Sequence, residues 1–195
     1  MISAVDIACE KTNAPPTLPP TSPSSGTPAP EIPAFDAAWP ELESRLKSAD
    51  TATREALVDP AIGLYVFDNP GAYMILGKVT NLAAAPRGIP DLKGCVVKRA
   101  ERLPTYSCET DQWSAQGCLH VAKPPVPMVQ VVKTQIVYVE DRAMTDEDRQ
   151  HFAELERIER LITDAVFYKG IVYFFGPVDG TWRLIALDVV SPCSA

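Results

Sequence analysis

The apolar residues at the start of the folded part recur at the spacing of a helix. Phe35, Trp39, Leu42 and Leu46 follow one another by four, three and four residues, which places them on one face of an α-helix. Pro40 interrupts this stripe because it lacks an amide donor. The pattern therefore predicts that the regular helix starts at Pro40, since proline is favoured in the first helical position.

Shorter elements follow, and turn residues separate them. Asp50 is a favourable N-cap, which predicts a second helix over residues 51–58. Apolar runs at residues 64–67 and 73–79 flank Asn69-Pro70-Gly71, and proline followed by glycine fits the central positions of a type II turn. These residues predict a β-hairpin.

The middle of the chain has the composition of strands broken by prolines. Its short apolar runs predict strands, at residues 95–98, 105–108 and 118–121. Residues 128–140 are rich in Val, Ile and Tyr and predict a further strand. Thr145 followed three residues later by Asp148 resembles a capping box, which predicts a helix over residues 146–162.

The last segment has the strongest β signals. Runs of β-branched and aromatic residues at 165–175 and 181–190 flank Asp179-Gly180, a strong hairpin signal. Strict alternation in the second run assigns one face to Trp182, Leu184, Ala186, Asp188 and Val190. Both faces of this strand are largely apolar, so we expect it inside the sheet with Trp182 buried. The order of elements predicts an α+β fold, a curved antiparallel sheet with helices packed on one face.

The N-terminal region has a different composition. Eight of the 19 prolines lie between Lys11 and Pro33, mixed with Ser, Thr and Ala. Such a stretch has little apolar surface to bury and few amide donors, so residues 10–33 are predicted to form an extended spacer. The predicted organisation is a disordered Pro/Ser/Thr-rich tether at residues 1–33 and a single α+β domain at residues 34–195.

Charge and motifs exclude several classes of function. The net charge of −7 disfavours binding to nucleic acid and to anionic membrane surfaces. No run approaches the roughly 20 apolar residues of a membrane span. The chain lacks phosphate-binding loops, the dinucleotide fingerprint, the nucleophile elbow and the HExxH zinc motif. We therefore expect no cofactor and no membrane-spanning segment.

Four of the five cysteines lie in the predicted domain. Cys95, Cys108, Cys118 and Cys193 predict two disulfide bonds formed in an oxidising compartment. Three pairings are open, and the short intervening loop favours Cys108 with Cys118, which leaves Cys95 with Cys193. A zinc site of His120 with the first three cysteines is the alternative. Its ligands lack the usual close pairing, so no metal is expected.

Cys9 directly precedes the proline-rich stretch. This arrangement resembles the mature start of a bacterial lipoprotein, in which the cysteine carries lipid. Ala8 fits the lipobox, whereas Asp6 stands where an aliphatic residue is usual. Residues 1–8 are too short for a signal peptide, so either the true start lies upstream or the resemblance is accidental.

Two further stretches resemble known families. The sequence YFFGPVDGTWRL at residues 173–184 resembles the terminal hairpin of NTF2-like and cystatin-like domains. Residues 63–72, GLYVFDNPGA, and the end Cys193-Ser194-Ala195 are similar to a group of uncharacterised bacterial envelope lipoproteins. The late helix at 146–162 departs from the NTF2 order. The resemblance implies an envelope location and carries over no catalytic residue.

These observations favour a non-catalytic domain, secreted or facing the periplasm, that binds a small molecule, a peptide or an envelope protein. One acid and several aromatic rings on a concave sheet are typical of a ligand pocket, and the candidates are Asp188, Tyr65, Tyr73, Tyr168 and Tyr173. The alternative is structural, with Asp188 solvated and the tyrosines in the core. The second hypothesis is an enzyme on an NTF2-like scaffold with Asp188 as general base in a cone-shaped pocket. A binding module would instead show an exposed apolar patch.

Overall fold

The structure is a computed structural model that describes residues 32–85, Leu92 and residues 95–193. The predictions for residues 1–31, which include the lipidation of Cys9 and most of the tether, lie outside these residues. The described part holds four α-helices, α1 Phe35–Leu46, α2 Thr51–Glu55, α3 Met128–Tyr138 and α4 Asp146–Leu161. Asp50 caps α2 as predicted, although this helix ends before residue 58.

Nine strands complete the described part. They are β1 Leu64–Asp68, β2 Ile75–Val79, β3 Val97–Arg99, β4 Tyr106–Ser107, β5 Gln112–Trp113, β6 Cys118–Ala122, β7 Asp164–Tyr168, β8 Ile171–Val178 and β9 Thr181–Asp188. Seven of them form one sheet in the order β2-β1-β9-β8-β7-β6-β3, and β4 pairs with β5 separately. The α+β class is confirmed, and β9 lies inside the sheet as predicted. The sheet is mixed rather than antiparallel, because β1 pairs with β9, and β3 with β6, in parallel.

Helices cover both faces of the sheet, so the prediction of a single helical layer was wrong. The buried side chains of α1 pack on one face, together with strand residues such as Leu64 and Val66. Those of α3 and α4 pack on the other, together with Tyr65 and Phe67. The inner strands are apolar on both sides, and each side must be removed from water by a layer of its own.

Helix α1 begins before its proline, so the predicted start at Pro40 was wrong. The helix starts at Phe35, and Pro40 lies inside it. An internal proline costs about 3 kcal/mol. Phe35 and Trp39 are both buried, and each such side chain contributes roughly 1.5–3 kcal/mol. The packing of the two aromatic residues that precede the proline therefore outweighs its cost.

Residues 128–138 form helix α3, so the strand predicted at 128–140 was wrong. Its buried residues, Met128, Val131, Val132 and Ile136, recur at the helical spacing. Valine and isoleucine lose only some tenths of a kcal/mol in a helix relative to good helix formers, so the apolar face decides the conformation. The capping box of α4 is confirmed. Thr145 Oγ1 accepts from the Asp148 amide at 3.2 Å, and Asp148 Oδ2 accepts from the Thr145 amide at 2.7 Å.

A β-bulge in β9 overturns the predicted alternation. Phe174 pairs with Ala186 while Phe175 pairs with Leu184, so Ile185 is an extra residue in its strand. Leu184 and Leu187 consequently face the α1 layer, whereas Ile185 and Ala186 both face the α3–α4 layer. Because Asp188 pairs with Phe67 and Val172 of that second layer, it lies on the face opposite Leu184.

Trp182 is half-buried, so the prediction that it is buried was wrong. Its ring contacts Phe35 at 5.2 Å, and its Nε1 donates to the Pro33 carbonyl at 2.9 Å. The indole therefore holds the residues that lead into α1. Pro33, predicted as the last residue of the tether, contacts the domain.

Two tight turns shape the C-terminal strands. The run predicted as one strand at 165–175 is divided by Lys169-Gly170, with φ of 49° and 81°, and β8 and β9 are joined by Asp179-Gly180, with φ of 47° and 77°. Positive φ at both central residues defines type I′ turns, which suit two-residue hairpins. The hairpin predicted at Asp179-Gly180 is thus confirmed. The β1–β2 hairpin is confirmed as well, but Gly71 lacks the positive φ of a type II turn.

Two disulfide bonds link the four cysteines of the domain, as predicted, but their pairing was predicted wrongly. Cys95 pairs with Cys118 and Cys108 pairs with Cys193, with Cα–Cα distances of 5.2 and 5.7 Å. Val97 lies opposite Cys118 where β3 runs beside β6, which brings Cys95 within reach. The cysteines of the zinc alternative are therefore occupied. No helix in the described residues is long and apolar enough to cross a membrane.

Candidate functional site

The acid proposed from the sequence is half-buried at the end of β9. Asp188 Oδ1 accepts a hydrogen bond from the Val190 amide at 3.0 Å. Burial raises the pKa of Asp188, and the Val190 hydrogen bond opposes this shift. Tyr65 lies on the same face, where its hydroxyl donates to Glu154 Oε1 at 3.4 Å. Burial, followed by the nearby Glu154 charge, raises the pKa of Tyr65 to about 12.

The other three tyrosines lie elsewhere. Tyr73, in the β1–β2 connection, is 45% exposed and stacks on Tyr138. Tyr173 is fully buried on the α1 face, where burial raises the pKa of its hydroxyl. Tyr168 also packs on that face, at the end of β7. The structure therefore does not bring the five predicted residues together in one pocket.

Tyr168 nevertheless lines a pocket of about 310 Å³ that opens to solvent. One wall is the turn between β7 and β8, and the other is the connection between β5 and β6. The lining residues are Trp113, Ala115, Gln116, Gly117, Phe167, Tyr168, Lys169 and Gly170. We call this cavity the Trp113 pocket. Aromatic walls with a few polar groups are the usual composition of a small-ligand site.

Aromatic contacts fix the indole that forms one wall. The Trp113 ring meets Phe167 at 4.8 Å and Tyr106 at 5.2 Å, both edge to face. A Cβ placed on Gly170 would stand 3.4 Å from Trp113 Cζ2, and this glycine also has a φ of +81°. Glycine at position 170 therefore serves both the tight turn and the close approach of the indole. The wall is set before any ligand arrives.

Lys169 carries the one charge among the residues that line the Trp113 pocket. Its Nζ lies 5.1 Å from the centre of the Tyr168 ring, a cation–π contact at the end of β7. On the neighbouring hairpin, the Tyr106 hydroxyl donates to Asp111, which raises the pKa of Tyr106. The pocket thus offers an apolar wall with a cation at its edge.

The sequence did not indicate Trp113, Gln116 or Lys169 as site residues. Lys169-Gly170 lies between two apolar runs and is a turn signal, although residues 165–175 were predicted as one strand. No local signal shows that this turn meets a tryptophan more than 50 residues earlier in the chain, because only the packing of Trp113 on Phe167 brings them together.

A second group missed from the sequence surrounds His120. This strand residue of β6 is 2% exposed, and its Nε2 lies 2.7 Å from Asp164 Oδ1. Its ring stacks on Phe35 at 4.6 Å, and its Nδ1 lies 3.4 Å from Asp36 Oδ1 without forming a hydrogen bond. Asp36 in turn binds Arg99 at 2.5 Å. The group ties β6 to β7 and approaches α1.

Metal binding has no candidate site in the part of the chain that the structure describes. There, no three His, Cys, Asp or Glu side chains stand close enough to hold an ion. The site and fold together define a disulfide-linked α+β protein with a small aromatic pocket beside a lysine. No protein-family model, no curated protein and no solved structure matches the chain.

Proposed function

We propose that the protein is a non-catalytic binding module and that the Trp113 pocket is its ligand site. The ligand we propose is a small molecule, or one end of a peptide, with an apolar body and an acidic group. The observation that supports this proposal is the aromatic contact of Trp113 with Phe167 in a pocket that Lys169 also lines. An apolar body would fill the wall, and the acid would meet the ammonium.

The magnitudes assign different roles to the two parts of such a ligand. Burial of about 150 Å² of apolar surface would contribute about 4 kcal/mol. An ion pair with the exposed Lys169 ammonium adds up to about 1 kcal/mol. The apolar body therefore supplies most of the affinity, while Lys169 selects acids over neutral compounds of the same shape.

We further propose that the module works in the bacterial cell envelope. Two disulfide bonds support an oxidising compartment, since they form and persist there. The resemblance to envelope lipoproteins supports a lipid anchor on Cys9, to be tested by the mass of the natively expressed protein and of Cys9→Ala. A distant relation to NTF2-like or cystatin-like domains belongs to the same proposal, although helices on both sheet faces depart from a one-sided sheet.

The pocket can be tested with a matched pair of probes, 4-phenylbutyrate and the neutral 4-phenyl-1-butanol. We expect both to shift the indole NMR signal of Trp113, and the acid to bind up to about fivefold more tightly because of its contact with Lys169. In Lys169→Asn this preference should disappear. Asn is chosen because it tolerates the positive φ of this position, 49°.

Lys123→Asn is the matched control for this experiment. Lys123 is also an exposed lysine with positive φ, 51°, and it does not line the Trp113 pocket. Its replacement should leave the preference for the acid unchanged. An equal loss in both variants would reveal a nonspecific charge effect. A Trp113 signal that responds to neither probe would refute the pocket as a ligand site.

The second candidate function is an enzyme that uses Asp188 as general base. The raised pKa of its half-buried carboxyl favours this role. The proposal predicts that turnover in a panel of activated esters and phosphate monoesters is lost in Asp188→Asn, while 4-phenylbutyrate binding remains. Turnover that persists in this variant, or is absent from the wild type across the panel, would leave the binding module as the better account.

A further inference from the structure

The exposed apolar side chains of the protein are concentrated at one end of α3. In the part that the structure describes, seven large apolar side chains are exposed, and five of them belong to this region. We call these five the Tyr138 patch: Tyr73, Val137, Tyr138, Val139 and Met144. The amides of residues 139, 140 and 142 donate to carbonyls of α3, so the chain stays close to the helix end. Exposed apolar side chains concentrated in one region mark interaction sites.

Two tyrosines give the patch a fixed platform. The rings of Tyr73 and Tyr138 stack with their centres 5.5 Å apart and their planes at 12°. Tyr138 is 63% exposed. The Leu76 amide donates to Gln135 Oε1 at 3.2 Å, which fastens the hairpin that carries Tyr73 to the helix that carries Tyr138. A partner would therefore meet aromatic rings that lose little freedom on binding.

The segment that contains Met144 of the patch is acidic. Residues 140–149 contain five carboxylates and two arginines, a net charge of −3. Both arginines are engaged within the segment, since Arg142 binds Asp148 at 2.7 Å and Arg149 binds Asp146 at 2.6 Å. The negative charge of this segment is therefore available to attract a cationic partner.

We propose that the Tyr138 patch is a docking surface for a protein segment with apolar side chains flanked by Lys or Arg. Apolar contact with the tyrosine pair would supply affinity, and the acidic segment would select basic partners. A second copy of this chain fits poorly, because it would bring two negative segments together in a protein of net charge −7. An anionic membrane is repelled for the same reason.

The probe for this surface is a labelled dodecapeptide of Leu, Trp and Lys, compared with the same peptide carrying Glu in place of Lys. We expect the Lys peptide to bind at least about tenfold more tightly, and to weaken as salt is raised. Tyr73→Ser combined with Tyr138→Ser should lower its affinity about tenfold or more. Val96→Ser is the control, because Val96 is also an exposed apolar residue but lies outside the patch. This substitution should change the affinity for the Lys peptide little.

Charge reversal tests the selection for basic partners. In Asp141→Lys combined with Glu147→Lys, the Lys peptide should bind about tenfold more weakly and the Glu peptide more tightly. Glu101→Lys places one added cation at an exposed position outside residues 140–149 and should leave the preference unchanged. Equal binding of the two peptides to the wild type, or no loss in the tyrosine variant, would overturn the proposal.

The other occupants of the patch have outcomes of their own. A dimer in sedimentation that Tyr138→Ser dissociates would assign the patch to a second copy and overturn the proposal. Binding to vesicles of phosphatidylglycerol that the same variant abolishes would assign it to a membrane, with the same consequence. Lys169→Asn should not affect peptide binding, so the Trp113 pocket and this surface can fail independently.

Discussion

Two neighbouring regions of the molecule, the β7–β8–β9 strands and the excursion at residues 101–117, are stabilised in different ways. Most residues of the three strands are buried, and two-residue turns connect them. Most residues of the excursion are exposed, and it is attached through the contact of Trp113 with Phe167 and the bond of Cys108 to Cys193. Burial fixes the strands, whereas a covalent bond and one aromatic contact fix the excursion.

The Trp113 pocket lies where these regions meet. Its strand-side wall belongs to buried strands of the sheet, while its other wall stands on a segment whose residues are mostly exposed. The indole of that second wall is positioned by its ring contacts with Phe167 and Tyr106 and has little core of its own. The stability of the fold therefore depends mainly on the buried strands, whereas the shape of the pocket depends on the excursion as well.

The largest effect is expected in the strands, from Gly176→Ala. A Cβ at this position of β8 would stand 1.8 Å from the Leu161 carbonyl oxygen at the end of α4, and backbone cannot move aside cheaply. The free energy of unfolding should fall by more than about 4 kcal/mol in urea titrations. Gly77→Ala in β2 is the control, because nothing lies within 4 Å of its added Cβ. Equal losses in the two variants would contradict the dense packing of β8 on α4.

Asp164→Ala should also destabilise the strands, because it leaves His120 buried without its hydrogen-bond partner. We expect a loss of about 1–3 kcal/mol in the same titrations, the cost of an unsatisfied buried polar group. Asp36→Ala should cost less than about 1 kcal/mol, since this carboxylate is exposed and its ion pair with Arg99 lies at the surface. A loss as small as that of Asp36→Ala would mean that the buried contact between Asp164 and His120 does not stabilise the fold.

Removal of the Cys108–Cys193 bond tests the excursion. The double variant Cys108→Ser and Cys193→Ser should lose about 2–4 kcal/mol, because a long loop is no longer closed in the unfolded chain. Amide exchange should rise first in residues 101–117, and 4-phenylbutyrate should bind more weakly. The comparison variant, Cys95→Ala combined with Cys118→Ala, lacks the other disulfide bond. At temperatures where this variant is folded, 4-phenylbutyrate should bind to it as to the wild type. Weakened binding in both would show that the pocket needs the whole fold.

The smallest effect is expected from Asp188→Asn, and it should depend on pH. The folded-state pKa of Asp188 is raised, so ionisation of this carboxyl costs stability: the contribution is fully present below the unfolded pKa and is lost as pH rises through the folded pKa. Asn keeps an acceptor for the Val190 amide and has no charge to bury. The variant should therefore melt at a higher temperature than the wild type at pH 7 and at a similar temperature near pH 3. A lower melting temperature at pH 7 would show that the ionised group is stabilised.

Features that depend on a few adjacent residues were predictable. The turn at Asp179-Gly180 and the capping box of Thr145 and Asp148 were predicted correctly, because each is decided by neighbours in the sequence. Helix α3 was not, because its valines favour a strand until α4 and the sheet supply a surface for one face.

The candidate site was less predictable than the fold. Tyr168 was the one predicted binding residue that lines the Trp113 pocket, and its partners come from a distant, irregular segment. The disulfide pairing failed for a related reason. Loop length favoured Cys108 with Cys118, whereas the parallel pairing of β3 with β6 decides which cysteine lies close.

The extra residue Ile185 shifts the alternation of side chains between the two sheet faces in the rest of β9. Before it, even-numbered positions such as Leu184 face the α1 layer, and after it odd-numbered positions such as Leu187 do. Deletion of Ile185 would remove the bulge and leave Leu187 and Asp188 on their present faces, because their partners Tyr173 and Val172 already alternate regularly in β8. In a related chain without this residue, the polar position near the end of the strand should therefore lie one residue closer to the turn. An alignment that placed no gap at this point would compare side chains from opposite sides of the sheet.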